Sequence, residues 1–239
     1  MKQALVNGRW NIWLPDNIAD WDGITGDYTA RRGWEFQRFE SFRRNLRWGD
    51  CFYDIGTEHG WISGIIAREF VGAQHMVLME PSPEFWVNIR KIWTWNNFED
   101  PAGCWQGFLD ETDGVAGNDG WPSCADATKP EIPGMAYRSL LNQTAIPSIS
   151  VDNYARSTGL MPDALNIDVE GAELLVLRGA ARSLESGRLS NVWVSVHPDL
   201  MLNFGHTPEM LHEFMVERGW VGEHLDTDHE QHHHFTRQR

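Results

Sequence analysis

The sequence predicts an α/β fold, a mostly parallel sheet with helices on both faces, and three observations carry the prediction. The run Cys51-Phe-Tyr-Asp-Ile55 is short and apolar and leads into Gly56 and Gly60. A helical pattern begins directly after Gly60, and a second apolar run, His75 to Met79, ends in Glu80. Strand, glycine turn, helix, strand, acid is the front half of a Rossmann-like, nucleotide-binding βαβ unit.

Each part has a physical task. Gly56 and Gly60 bracket a tight turn where a Cβ would block close approach to the backbone. The helix after Gly60 directs its free N–H groups toward whatever lies over that turn. Glu80 follows Gly60 by twenty residues (80 − 60), which suits an acid accepting hydrogen bonds from ribose hydroxyls. A dinucleotide site requires a glycine where this chain has Glu58, an anion in the path of a pyrophosphate. A ribose-bearing ligand with a cationic centre and no phosphate fits better, and S-adenosylmethionine is the common one.

The chain has 239 residues and a formal net charge of −14. That length suits one domain over residues 1–239 with an ample core. The acidic balance argues against a nucleic-acid partner and against docking on an anionic membrane. No apolar run has the length of a signal peptide or a membrane span, and Cys51, Cys104 and Cys124 lack metal-like spacing. A cytoplasmic protein with reduced thiols is expected. The 13 tryptophans are numerous for this length. Those at 10, 13, 21, 34, 105 and 121 fall in or beside irregular polar stretches, where they either pin loops or stack on a sugar.

Residues 1 to about 30 read as irregular, and 1–48 as an N-terminal extension or cap. Arg31 to Leu46 reads as an amphipathic helix with Phe36, Phe39, Phe42 and Leu46 on its apolar side and basic residues on a solvated one. Trp61, Ile62, Ile65, Ile66 and Phe70 form the buried stripe of the helix after the glycine turn. Ser82-Pro83-Glu84 starts the next helix, with Ser82 as cap. Cys104 to Leu109 is a third strand, and Asp110 at its end is a candidate for the adenine amino group. From 111 to 147 the pattern dissolves into a loop-rich insertion, read as an acceptor-site loop.

Ser148 to Asp152 alternates as a short strand. A further apolar strand then delivers Asp168 to its C-terminal edge, with Glu170 and Glu173 on the turn and helix beyond. Three acids at one sheet edge are costly unless solvated, metal-bound or catalytic. Leu174 to Leu184 is helical, and Asn191 to Val196 is a strand ending at His197-Pro198. Thr207-Pro208-Glu209 starts another helix. Val221 to Leu225 and His232 to Thr236 form a terminal hairpin, with surface histidines expected on an edge strand.

Asp54-Ile-Gly-x-x-x-Gly60, Glu80-Pro81 and Asn166-Ile-Asp-Val-Glu-Gly-Ala-Glu173, in this order, resemble the FkbM-type methyltransferases over about residues 45 to 236. The resemblance implies a class I methyltransferase fold: a seven-stranded sheet whose final hairpin inserts an antiparallel strand. It implies S-adenosylmethionine as cofactor and, in many members, O-methylation of sugar-like or natural-product hydroxyls. Cofactor contacts are then expected from Asp54, Gly56, Thr57, Glu58 and Gly60 and from Glu80-Pro81, with Asp110 added from its strand-end position. The chain departs from the family in having Thr57-Glu58 where Ala-Asn is usual, and Ser195 where an acid often stands.

A sugar hydroxyl needs a base to become a nucleophile. His197 is the first candidate because the ordinary imidazole pKa lies near neutrality. Asp168 is the second, either as base or as ligand of a Mg²⁺ ion supported by Glu170 or Glu173. The expected partner is a small-molecule or glycan acceptor, and a homodimer is compatible with this reading. The competing readings are an inactive cofactor- or glycan-binding protein on the same fold, favoured by Glu58 and Ser195, and an N- or C-methyltransferase acting on a small molecule.

Overall fold

The computed structural model describes residues 1–19, 35–112, 120–129, 146–227 and 230–237. In chain order the strands are β1 (Lys2–Val6), β2 (Trp10–Leu14), β3 (Phe52–Ile55), β4 (Met76–Met79), β5 (Gly103–Trp105), β6 (Phe108–Leu109), β7 (Ser148–Ile149), β8 (Ala164–Ile167), β9 (Asn191–Val196), β10 (Trp220–Thr227) and β11 (Gln231–Arg237). The helices are α1 (Asp16–Ala19), α2 (Phe36–Asn45), α3 (Trp61–Ile66), α4 (Phe85–Trp95), α5 (Val151–Thr158), α6 (Glu173–Gly179), α7 (Ala181–Glu185), α8 (Pro198–Met201) and α9 (Pro208–Val216).

The central sheet has seven strands in the order β10-β11-β9-β8-β3-β4-β5. Strands β9, β8, β3, β4 and β5 run parallel, and β11 is inserted antiparallel to both neighbours. This is the doubly wound class I methyltransferase arrangement, and the inserted strand is the one expected at the C-terminus.

Period-two alternation divides the core between the two faces. Phe52, Met76, Leu78, Ala164 and Trp193 point to a face covered by β2, α2, α3 and α4. Tyr53, Val77, Leu165, Ile167, Val192 and Val194 point to the other, covered by α5, α6, α7 and α9. On the first face the alternation also delivers Asp54, Asn166, Ser195 and His232, all buried. A polar stripe therefore crosses an otherwise apolar sheet, beneath α2.

Several local expectations are corrected. Residues 1–19 are not irregular: β1 and β2 form an antiparallel hairpin, with Ile12 and Leu14 fully buried. The third strand is split, because β6 leaves the main sheet to pair with β7. The strand over Ser148–Asp152 stops at Ile149, since the Ser150 side chain accepts from Asn153 N and starts α5. Ser82 does not cap α4: its N–H donates to Glu80 Oε1, and the helix starts at Phe85. The helix after Glu173 breaks at Ala180, with Asp152 accepting from the N–H groups of Arg182 and Ser183 at the start of α7. Three of the C-terminal histidines are not on the surface, although His224 on β10 is exposed. His232, His233 and His234 are buried because β10, not β11, forms the sheet edge.

Trp10 and Trp105 are buried, and Trp121 meets Trp86 and Trp93 edge-on, so these tryptophans pin segments to the body. Trp21, Trp34, the start of the helix at Arg31 and most of the 111–147 insertion lie outside the described residues. No helix among those described is long and apolar enough to cross a membrane.

Candidate functional site

The glycine turn is built against the ends of three parallel strands. Gly56 has φ +84°, and a Cβ there would lie 1.6 Å from the Asp168 carbonyl oxygen. Gly60 has φ +81°, and its Cβ would crowd Ile89 at 3.0 Å. Only glycine meets both requirements at Gly56, where a positive φ coincides with main-chain contact. The N–H groups of Gly56 and Thr57 donate to the Met79 carbonyl, at 2.9 and 3.1 Å, tying the turn to the tip of β4. Thr57 Oγ1 donates to the Asp54 carbonyl at 2.9 Å.

Glu80 faces this turn. Its Oε2 accepts from Glu58 N at 2.9 Å and its Oε1 from Ser82 N at 2.8 Å. Burial pushes its carboxyl up to about 8, against the lowering effect of those two hydrogen bonds. Asp54, also buried, accepts from Ser63 Oγ and, at 2.7 Å, from Asn166 Nδ2. Burial raises the Asp54 carboxyl, and those two hydrogen bonds oppose it. Pro81 follows Glu80 directly. Asp110 follows β6, where its carboxylate accepts from Glu111 N at 2.6 Å and its carbonyl packs against Gly179.

A second group of ionisable side chains gathers at the ends of β8, β9 and β11. His197 Nδ1 lies 2.8 Å from Glu173 Oε1, and its Nε2 lies 2.5 Å from Glu230 Oε2. Asp168 Oδ1 and Glu170 Oε1 stand 3.8 and 3.9 Å from the same Nε2. Burial lowers the pKa of His197, but Glu173, Glu230 and Asp168 outweigh it and hold the imidazole at about 11. His197 is therefore a cation at neutral pH, and the near-neutral pKa that made it the first base candidate does not apply in this setting. Asp168 keeps 21% side-chain exposure. Burial first, and then Glu230, push Asp168 up to about 6, against Arg38 and His197.

Arg38 joins the two groups. Its guanidinium is buried and donates to Glu35 Oε2 at 2.6 Å and to Asn166 Oδ1 at 2.5 Å, with Asp168 Oδ2 at 3.4 Å. Ser195 Oγ donates to Asp168 Oδ2 at 3.1 Å and lies 3.2 Å from His232 Nδ1. A continuous polar path thus runs from Ser63 and Asp54 through Asn166 and Arg38 to Asp168, Ser195 and His232.

A family model described as the methyltransferase FkbM domain matches residues 50–221. The chain belongs to the FkbM methyltransferase family. It carries an S-adenosylmethionine-dependent methyltransferase domain, in agreement with the strand order and the residues at the strand tips. A comparison with curated proteins found no match. Among solved structures, the chain is similar to an FkbM methyltransferase from Methylobacillus flagellatus KT at 15% identity and TM-score 0.49. That likeness covers 81% of this chain but only 45% of the longer protein. A precorrin-6y C5,15-methyltransferase from Geobacter metallireducens GS-15 is similar at 12% identity and TM-score 0.46, over 90% of this chain and 96% of that one. M. capricolum TrmK, solved with S-adenosyl-homocysteine, is similar at 9% identity and TM-score 0.43, over 84% and 67% of the two chains.

Of the residues singled out in this FkbM sequence, Asp54, Gly56, Thr57, Glu58, Gly60, Glu80 and Pro81 come together at the tips of β3 and β4. Asp168, Glu170, Glu173 and His197 also meet. Glu173 Oε1 accepts from Gly171 N and lies beside His197 Nδ1, and one group of donor atoms close enough to share a metal ion is Asp168, Glu170 and His197. Sequence reading missed Glu35, Arg38, Glu230 and His232. For Asn166, Ser195 and His232 a signal existed, namely polar residues of one alternation parity inside strands that parallel packing makes apolar. Arg38 carried none, because a basic residue on an amphipathic helix ordinarily faces water.

Proposed function

We propose that the chain transfers the methyl group of S-adenosylmethionine to a hydroxyl oxygen of a sugar, a glycan-like molecule or another small acceptor, with Asp168 as general base. The observation that carries this reading is the contact between Gly56 and the Asp168 carbonyl, which joins the donor turn to the base. The donor supplies a methyl already activated by its sulfonium, so the chain's own tasks are alignment and proton removal.

The residues at the strand tips fit an adenosyl group. Glu80 presents two carboxylate oxygens at the end of β4, and a ribose diol would replace the Glu58 and Ser82 amides that they now accept from. The partly exposed Asp168, with its pKa near 6, is ionised at neutral pH and still basic enough to share a hydroxyl proton. His197, held protonated, offsets the negative charge of Glu173, Glu230 and Asp168 and keeps Asp168 in place. Glu170, with half of its side chain exposed, stands beside Asp168 on the solvent side. O-methylation is supported further by the resemblance to a family with many O-methyltransferases.

The test is incubation of the purified chain with methyl-labelled S-adenosylmethionine and a panel of sugars, glycosides and phenols, read by mass spectrometry. A gain of one methyl on an acceptor oxygen, abolished by Asp168→Asn with cofactor affinity retained, supports the reading. Label on nitrogen or carbon, or full turnover in Asp168→Asn, contradicts it.

A further inference from the structure

Beside the polar path lies a second convergence of donors that methyl transfer does not use. Glu35, Glu230 and His232 each offer one ligand atom, and these atoms lie within 4.8 Å of one another. The three residues come from distant parts of the chain: the position preceding α2, the position preceding β11, and β11 itself. All three are buried, at 2%, 4% and 1% exposure.

We propose that Glu35, Glu230 and His232 bind a divalent transition-metal ion of the Zn²⁺ class, at a site separate from the Asp168–Glu170–His197 trio. The inference stands on the local donor geometry and does not depend on the methyl-transfer reading.

The first support is an unanswered oxygen. Glu35 Oε2 accepts from Arg38, while Glu35 Oε1 is fully buried and has no hydrogen-bond partner among the described residues. An orphaned buried carboxylate oxygen is costly, and a metal ion is one group that satisfies it. The second support is the orientation of the imidazole. His232 Nδ1 is engaged by Ser195 Oγ, itself bonded to Asp168, which turns Nε2 toward Glu230 Oε1 at 3.5 Å. Outer partners of this kind fix the tautomer and ring plane of metal-binding histidines. Ligands about 2.1 Å from a tetrahedral ion stand about 3.4 Å apart, so the Glu230–His232 spacing of 3.5 Å already matches, and Glu35 stands within 4.8 Å of both.

Charge gives the third support. Glu35, Asp54, Glu173 and Glu230 are buried, and Asp168 lies among them. Arg38 faces them, with His197 and His232 beside Glu230, and a divalent ion would offset the cost of gathering so many carboxyl groups. Two carboxylates and an imidazole favour Zn²⁺, Mn²⁺ or Fe²⁺ over the all-oxygen preference of Mg²⁺ and Ca²⁺. Three protein donors leave a coordination position open. The ion would also fasten the N-terminal helix α2 to the C-terminal hairpin, two elements outside the glycine-turn half of the sheet.

The purified chain, stripped with a chelator, is titrated calorimetrically with Zn²⁺ and then melted with and without it. One tight equivalent and a raised melting temperature are expected. Glu35→Gln and His232→Asn should each weaken that binding at least tenfold, whereas Glu170→Gln should leave it unchanged. Anomalous diffraction at the zinc edge on wild-type crystals needs no variant, and it should show a peak between the three side chains. A peak at Asp168, Glu170 and His197, a peak elsewhere, or no peak overturns the assignment, as does unchanged affinity in a folded Glu35→Gln.

Discussion

Asn166 and Asp54 face each other on neighbouring parallel strands, and Asn166 Nδ2 donates to Asp54 Oδ1 at 2.7 Å. The amide oxygen of Asn166 accepts from Arg38 at 2.5 Å, so one side chain joins the carboxylate under the glycine turn to the guanidinium beside Asp168. All three residues are buried, and water cannot readily substitute for the amide.

Replacing that amide should therefore be expensive. Asn166→Leu leaves Asp54 Oδ1 and one Arg38 nitrogen without their partner, at a cost of about 2–4 kcal/mol. For a chain of this size the melting temperature should fall by roughly 5–15 °C. Differential scanning calorimetry checks this, and a fall of only a degree or two would show that the link contributes little.

Gly56 and Gly219 allow a comparison at similar backbone angles. Both have positive φ, +84° and +78°, but a Cβ at Gly219 meets nothing within 4 Å, whereas one at Gly56 strikes the Asp168 carbonyl. Gly219→Ala should cost about 1 kcal/mol, from left-handed backbone alone. Gly56→Ala should cost several times that and abolish cofactor binding. Denaturant unfolding of the two variants side by side measures the difference.

Stability should fall as pH rises above neutral in chelator-treated protein. Glu80 is raised from 4.5 to about 8, so the folded chain binds more protons than the unfolded one across that interval and loses stability through it. His197, raised from 6.5 to about 11, acts in the same direction: its contribution is complete below 6.5 and is lost as pH climbs toward 11. Glu230, lowered from 4.5 to about 2, opposes only on the acid side, where its contribution disappears as pH drops below 4.5. The buried His59, His233 and His234, each lowered from 6.5 to about 4, oppose this trend below pH 6.5, so melting temperature against pH should decline from about pH 7 upward. Glu80→Gln should flatten the part between 4.5 and 8.

The rate should respond to pH through Asp168. With that carboxyl near 6, kcat/KM is expected to rise with pH through about 6 and level off above it. Asp168→Asn should lose turnover at every pH. His197→Gln should instead lower turnover and shift the rising limb, since it removes the positive charge beside Asp168. A limb that moves in neither variant would point to another base.

Much of this was legible in the chain itself. The tips of β3 and β4 were readable because strand, glycine and acid lie within thirty residues of each other (51 to 80). The terminal hairpin was readable from its alternation, and the insertion of its last strand into the sheet was implied by the family resemblance. The β1–β2 hairpin was missed because Asn7 and Gly8 turn between short, mixed runs that resemble loop. Ser150 was read as part of a strand because its capping bond to Asn153 overrides the alternation. The partners of Asp168 were least legible, since Arg38 and Ser195 reach it across separations of 130 and 27 residues. Such contacts are products of topology, and single-sequence patterning does not encode them.

The central claim is that an adenosyl group lies across the tips of β3 and β4 with its ribose on Glu80. Calorimetric titration with S-adenosylhomocysteine, on the wild type and on Glu80→Gln, tests it most directly. The account predicts one site in the wild type and at least tenfold weaker binding in a folded Glu80→Gln. No binding to the wild type, or equal affinity in the two proteins, would contradict it.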